Sequence, residues 1–236
     1  MKKQHSSRRA ILVLESPWGL DASDANRTSV LPFIEGVGKF SGDVEVLHAN
    51  FYDASSFKKA LDCLVRARYE NAILYVASHG SHDSIGDMKT NDLLFEIGEV
   101  SRGVNITGVL LGACLAGKNT SRMEVYTEGT NLRWCAGYST SVVWLEGTLL
   151  DCAILAKMLY LDDDDFEDAE LIVDALAEAI APFSKSYGIG SRRGETRLDQ
   201  SMEFVIQAKG QGKRAKSVTS EVFRGWSSKQ IGISDE

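Results

Sequence analysis

Residues 9–15 and 72–77 each carry an unbroken apolar run, five or six residues long, between polar flanks, and 109–113 carry a similar run broken only by Gly112. Runs that short and that uniform suit strands buried on both faces, and such strands belong to parallel sheets covered by helices on either side. The intervening sequence supplies the helices. Residues 28–40 set Val30, Leu31, Phe33, Ile34 and Val37 along one stripe. Residues 55–68 do the same with Phe57, Leu61, Leu64 and Val65, and Ser55 or Ser56 is placed to cap them.

Further strands are expected over 44–51, 133–138 and 202–208, and long helices over 144–161 and 165–183. Residues 81–91 read as a polar connection, with a short helix starting within 93–100. Strand and helix alternate in this order, which predicts a three-layer α/β/α sandwich with a mostly parallel central sheet. One domain is expected over 9–208. Residues 1–8 read as a flexible N-terminus, and 209–236 as a weakly ordered tail in which Gly, Lys and Ser accumulate.

Of the 236 residues 44% are apolar, enough for a substantial core, and the net charge of −7 argues against nucleic acid as the partner. Basic residues gather at 2–9 and 209–216, where they read as solvated flanks. No run approaches the roughly 18 apolar residues of a membrane span, so no membrane insertion is expected. The first apolar run stops at Glu15, short of a secretory segment. Cys63, Cys114, Cys135 and Cys152 are widely spaced with no CxxC pair, so they read as thiols in a cytoplasmic protein.

Two of the buried runs end on residues able to do chemistry. One leads through Ser78 into His79-Gly80, the other through Gly112-Ala113 into Cys114. In an open parallel sheet the carboxyl ends of the strands form the ligand crevice, so neighbouring strands would bring the pair together there. An imidazole next to a thiol is the arrangement of nucleophilic catalysis. The backbone N–H groups of Gly80 and Cys114 are then candidates for an oxyanion hole. Small residues at Gly112, Ala113, Ala116 and Gly117 would let a peptide approach. His82 is a rival base, deeper in the polar loop. Cys63, Cys135 and Cys152 fall inside predicted helices or a strand and read as packing.

At these residues the chain resembles the caspase-like clan of cysteine peptidases, and within it the bacterial CHAT branch. The resemblance rests on the strand ending in Ser78-His79-Gly80, the strand ending in Gly112-Ala113-Cys114, the segment Ala136-Gly137-Tyr138, and Trp144 leading a long helix. It spans about residues 9–208. It implies a caspase-like fold and a cysteine endopeptidase that needs no cofactor and no metal. It also implies that Tyr138, Ser139, Thr140 and Ser141 pair with the substrate backbone by strand addition. A protein substrate is implied, with a gasdermin-like pore former in an anti-phage or cell-death system as the candidate.

The sequence departs from caspases in ways that bear on specificity. His and Cys are 35 residues apart, against about 50 in the caspase signature. Gly112 stands where caspases carry a pocket glutamine, and Val142 where they carry a pocket arginine. The P1 pocket is therefore expected to be uncharged. Glu15 or Asp21, in the loop after the first strand, would instead select Lys or Arg, and Arg27 would favour an acidic residue.

Two rival functions remain. Gly112-Ala-Cys-Leu-Ala-Gly-Lys-Asn119 is one residue from a P-loop, with Asn119 replacing the Ser/Thr that would bind magnesium. A catalytically idle interaction module is the other, because a fold does not by itself establish activity. The acidic run at 162–165 reads as solvated charge, with calcium binding as the alternative.

Overall fold

The computed structural model describes residues 9–17, 28–184, 187–190 and 196–231. Its elements, in chain order, are β1 (Arg9–Glu15), α1 (Leu31–Ser41), β2 (Val44–Asn50), α2 (Ala54–Leu64), β3 (Asn71–Ala77), β4 (Ser84–Ile85), β5 (Met88–Lys89) and α3 (Thr90–Ser101). There follow β6 (Ile106–Gly112), α4 (Thr120–Thr127), β7 (Trp134–Tyr138), α5 (Trp144–Met158), α6 (Ala169–Ile180), β8 (Met202–Ile206), β9 (Lys216–Ser217) and α7 (Thr219–Ile231).

Seven strands form one sheet in the order β2-β1-β3-β6-β7-β8-β9. The first five are parallel, and β8 and β9 are antiparallel to their neighbours. Side chains alternate across a strand, and both faces of this sheet are buried. From β1, Ile11 and Val13 enter one core, while Ala10, Leu12 and Leu14 enter the other. The first core is closed by α1, α5, α6 and α7, the second by α2, α3 and α4. This is the three-layer α/β/α architecture expected from the sequence.

Local departures have physical reasons. Helix α2 is capped by Asp53, not by either serine: the Asp53 carboxylate accepts from Ser56 N–H at 2.7 Å, and Ser56 Oγ accepts from Asp53 N–H at 2.9 Å. That reciprocal pair is a capping box. Helix α4 has no strong apolar stripe, burying only Met123 and Thr127, and the sequence reading passed over it.

The region after residue 208 is also more structured than expected. β9 pairs with β8, and α7 packs on α6 with Val222 fully buried. The polar stretch before β9 concealed this because one buried valine per turn is a weak signal. Residues 1–8 and 232–236 lie outside the described residues.

Candidate active site

The carboxyl ends of β3 and β6 are hydrogen-bonded neighbours, and their register carries past the strands: Ser78 N–H donates to Gly112 O at 3.4 Å. The chain then turns at His79-Gly80 on one side and at Cys114 on the other. Gly80 backs directly onto the Cys114 peptide. A Cβ on Gly80 would fall 2.1 Å from Cys114 O and 2.8 Å from Cys114 N, so only glycine fits. The histidine-bearing and cysteine-bearing loops therefore meet at one point, with His79 exposed and Cys114 half-buried.

The His79 loop is held from both sides. Gly86 N–H donates to His79 O at 2.7 Å and Ser81 N–H to Ser84 O at 2.8 Å, closing the turn into the β4–β5 hairpin. Arg122 of α4 reaches across to His82 O at 3.2 Å and to the Asp83 carboxylate at 2.8 Å. Arg122 first, and His82 second, hold the Asp83 carboxyl below its usual range. His82 itself faces Asp83, with its Nδ1 3.0 Å from Oδ1.

The Cys114 loop is stitched to the continuation of β7. Leu115, at φ +62°, donates to Thr140 O at 3.1 Å, and Gly117 donates to Tyr138 O at 2.8 Å. Ala116 and Lys118 donate back to Ala113 O and Leu115 O. A phosphate cradle needs such successive N–H groups free, and here all four are taken, which removes the P-loop alternative. Asn119 serves instead as the cap of α4, accepting from Arg122 N–H at 2.9 Å.

Above the loop, Val142 N–H donates to Cys114 Sγ at 3.3 Å. Neither Gly80 N–H nor Cys114 N–H has an acceptor among the described residues. They are the two donors the sequence reading singled out for an oxyanion.

A small pocket lies beside Cys114 and opens to solvent, its empty space about 350 Å³ with the open solvent at its entrance included. Its lining includes Gly112 and Cys114, Val142 and Trp144, and Tyr75, Tyr138 and Asp151. Asp151 was not singled out in the sequence. It is buried, and its carboxylate accepts from Tyr75 O–H at 2.7 Å and from Tyr138 O–H at 2.6 Å. Burial pushes its pKa up to about 7, against the pull of the two tyrosine hydrogen bonds. Burial, and then the Asp151 charge, also raise both tyrosines well above their usual value. One signal could have found Asp151: it shares a helix face with Gly147, Ile154 and Leu155, a lone carboxylate on an apolar stripe.

The other predicted positions fare differently. Glu15 does not line the pocket. It is buried at the end of β1, where it accepts from Val30 N–H at 2.9 Å and Ser29 Oγ at 2.8 Å and lies 3.1 Å from His48 Nε2. It thus anchors the start of α1 and is not available to a ligand. Asp21 and Arg27 lie outside the described residues.

Tyr138 is buried and paired within the sheet, its O–H also 3.0 Å from Gly147 O. Ser139 N–H donates to Ser201 O at 2.8 Å. The backbone of Tyr138, Ser139 and Thr140 is thus already hydrogen-bonded to neighbouring segments and does not offer an open edge for strand addition. Ser141 is exposed and Val142 half-buried at the pocket mouth.

Ala113 and Ala116 are buried in the second core, so their small size serves packing. The buried Cys135 and half-buried Cys152 are both pushed up to about 12 by desolvation, which keeps them protonated. In the acidic run, Asp162 accepts from Asp164 and Asp165 N–H groups, and Lys209 pairs with Asp163. No cluster able to hold a metal ion occurs among the described residues, nor any helix long and apolar enough to cross a membrane.

No protein-family model and no curated protein matches this chain. Among solved structures it is similar to the complex of Porphyromonas gingivalis RgpB pro- and mature domains, at 9% identity and a TM-score of 0.44 over 74% of this chain and 43% of that one. It is also similar to the Arg-specific cysteine proteinase gingipain R (RgpB), at 8% identity and a TM-score of 0.45 over 75% and 43%. The chain thus spans less than half the length of these structures.

Proposed function

We propose that this protein is a cysteine endopeptidase with Cys114 as nucleophile and His79 as proton carrier. The observation that carries the reading is the packing of Gly80 on the Cys114 peptide. It joins a histidine loop to a cysteine loop beside a pocket, with two backbone donors that have no acceptor among the described residues.

In this mechanism Cys114 Sγ attacks the scissile carbonyl and its proton passes to His79. The tetrahedral oxyanion is received by Gly80 N–H and Cys114 N–H. His79 then protonates the leaving amine, the C–N bond breaks, and a thioester remains. Water, deprotonated by His79, hydrolyses the thioester and returns the thiol. No step calls on a cofactor.

The substrate in this reading is a protein partner of a cytoplasmic enzyme. The CHAT resemblance points to a bacterial anti-phage or cell-death setting and to a gasdermin-like pore former. The test is labelling of Cys114 by peptide acyloxymethyl ketones, read by intact mass, together with cleavage of proteins encoded nearby. Labelling lost in His79→Ala supports the dyad. A Cys114→Ala protein that cleaves as fast as wild type overturns it, and absence of labelling favours an idle interaction module.

A further inference from the structure

We propose that Asp151 makes the pocket beside Cys114 a receptor for a cationic P1 side chain, lysine or arginine. The inference rests on the peptidase reading and replaces the expectation of an uncharged pocket.

The pocket holds a buried carboxylate and, among the described residues, no lysine, arginine or histidine in its lining. A buried carboxylate is costly unless a cation or several donors offset it. Two tyrosine hydroxyls supply one hydrogen bond to each oxygen of Asp151. A carboxylate oxygen accepts more than one hydrogen bond, so each retains capacity for a donor from a ligand.

Gly112 leaves the way open. A Cβ there would lie 2.6 Å from the Tyr75 ring and 3.0 Å from Asp151 Oδ2. The same residue that stands in place of a pocket glutamine thus leaves Asp151 of α5 uncovered.

The walls suit the rest of such a side chain. Val142 and Trp144 offer apolar and aromatic surface to a methylene stem, and an aromatic face attracts a cation. Trp144 Nε1 is buried with no acceptor among the described residues. A cationic side chain bound in the pocket would lower the Asp151 pKa, so its binding and the ionisation of Asp151 favour each other.

The test uses the intact chain and matched peptide acyloxymethyl ketones with Arg, Lys, Leu or Asp at P1, following the rate of Cys114 adduct formation. Arg and Lys should react at least about tenfold faster than Leu. Asp151→Asn should bring the Arg:Leu rate ratio close to one, whatever the absolute rates. In case that variant does not fold, the same ratio is measured in the wild type against pH and should rise as pH passes through about 7, where Asp151 ionises.

Faster labelling with Leu or Asp, an undiminished ratio in Asp151→Asn, or a pH-independent ratio overturns the inference and leaves the peptidase reading standing. No Cys114 adduct with any of the four overturns both.

Discussion

Gly80 and Cys114 are in backbone contact, and no side chain fits between them. The contact shows how the loops bearing a histidine and a cysteine 35 residues apart in sequence come together at the carboxyl end of two central strands.

Replacing Gly80 by alanine forces the two loops apart. Overpacking of this kind costs about 1–3 kcal/mol, and the displaced Gly80 N–H leaves the position where an oxyanion would form. Gly80→Ala is expected to stay folded, with a lower Tm, and to lose about 10²-fold in kcat/KM on a peptide substrate. Thermal unfolding and peptide hydrolysis measured side by side check this. An unchanged kcat/KM would remove Gly80 from the site.

The two histidines of the loop separate cleanly. His79→Ala is expected to lower the rate about 10²-fold or more. His82 is engaged with Asp83 on the exposed side of the hairpin, and His82→Ala should keep most of the activity. Equal losses in the two variants would contradict the assignment of His79.

Asp151 gives stability a pH dependence of definite sign. Its pKa is pushed from 3.8 up to about 7 on folding, so the folded state holds its proton more tightly than the unfolded chain. The stabilisation is full below about pH 4 and is lost as pH rises toward 7, a difference of a few kcal/mol at most. Asp151→Asn has no such proton. Denaturant melts at pH 4 and pH 7 should show wild type losing stability relative to the variant as pH rises. A constant difference would mean that Asp151 ionises normally.

The last helix is expected to be part of the folding unit. Val222→Ala removes buried methyl groups between α7 and α6 and should cost about 2 kcal/mol. For a chain of this size that lowers Tm by about 4–8 °C. A smaller change, within the scatter of surface substitutions, would detach α7 from the core.

The sheet was legible because its strands are buried on both faces, and an apolar run such as that in β3 has few other uses. The approach of the loops bearing His79 and Cys114 follows from the same pattern, since both residues stand just past the ends of neighbouring strands. The direction of β8 was not legible. It depends on where the long connection from α6 brings the chain back, and Ser201 at its start pairs with Ser139 at the site end of the sheet.

The role of Glu15 was misread because a carboxylate at a strand end suits a ligand and the N-terminus of a helix equally well. Asp151 was passed over because a single acid within a helix usually faces water. Only its place between Tyr75 on one strand and Tyr138 on another reveals what it does.

That placement limits how this pocket can change in evolution. Asp151 joins α5 to β3 and β7 through two tyrosine hydroxyls, so one carboxyl serves both as pocket lining and as the seam between helix and sheet. Exchanging it for an apolar residue would strand the buried Tyr75 hydroxyl, at about 1–3 kcal/mol, while the Tyr138 hydroxyl keeps Gly147 O as its acceptor. A lineage altering this pocket would have to change Tyr75 and Asp151 together, whereas Val142 reaches Cys114 through its backbone N–H and can change its side chain alone.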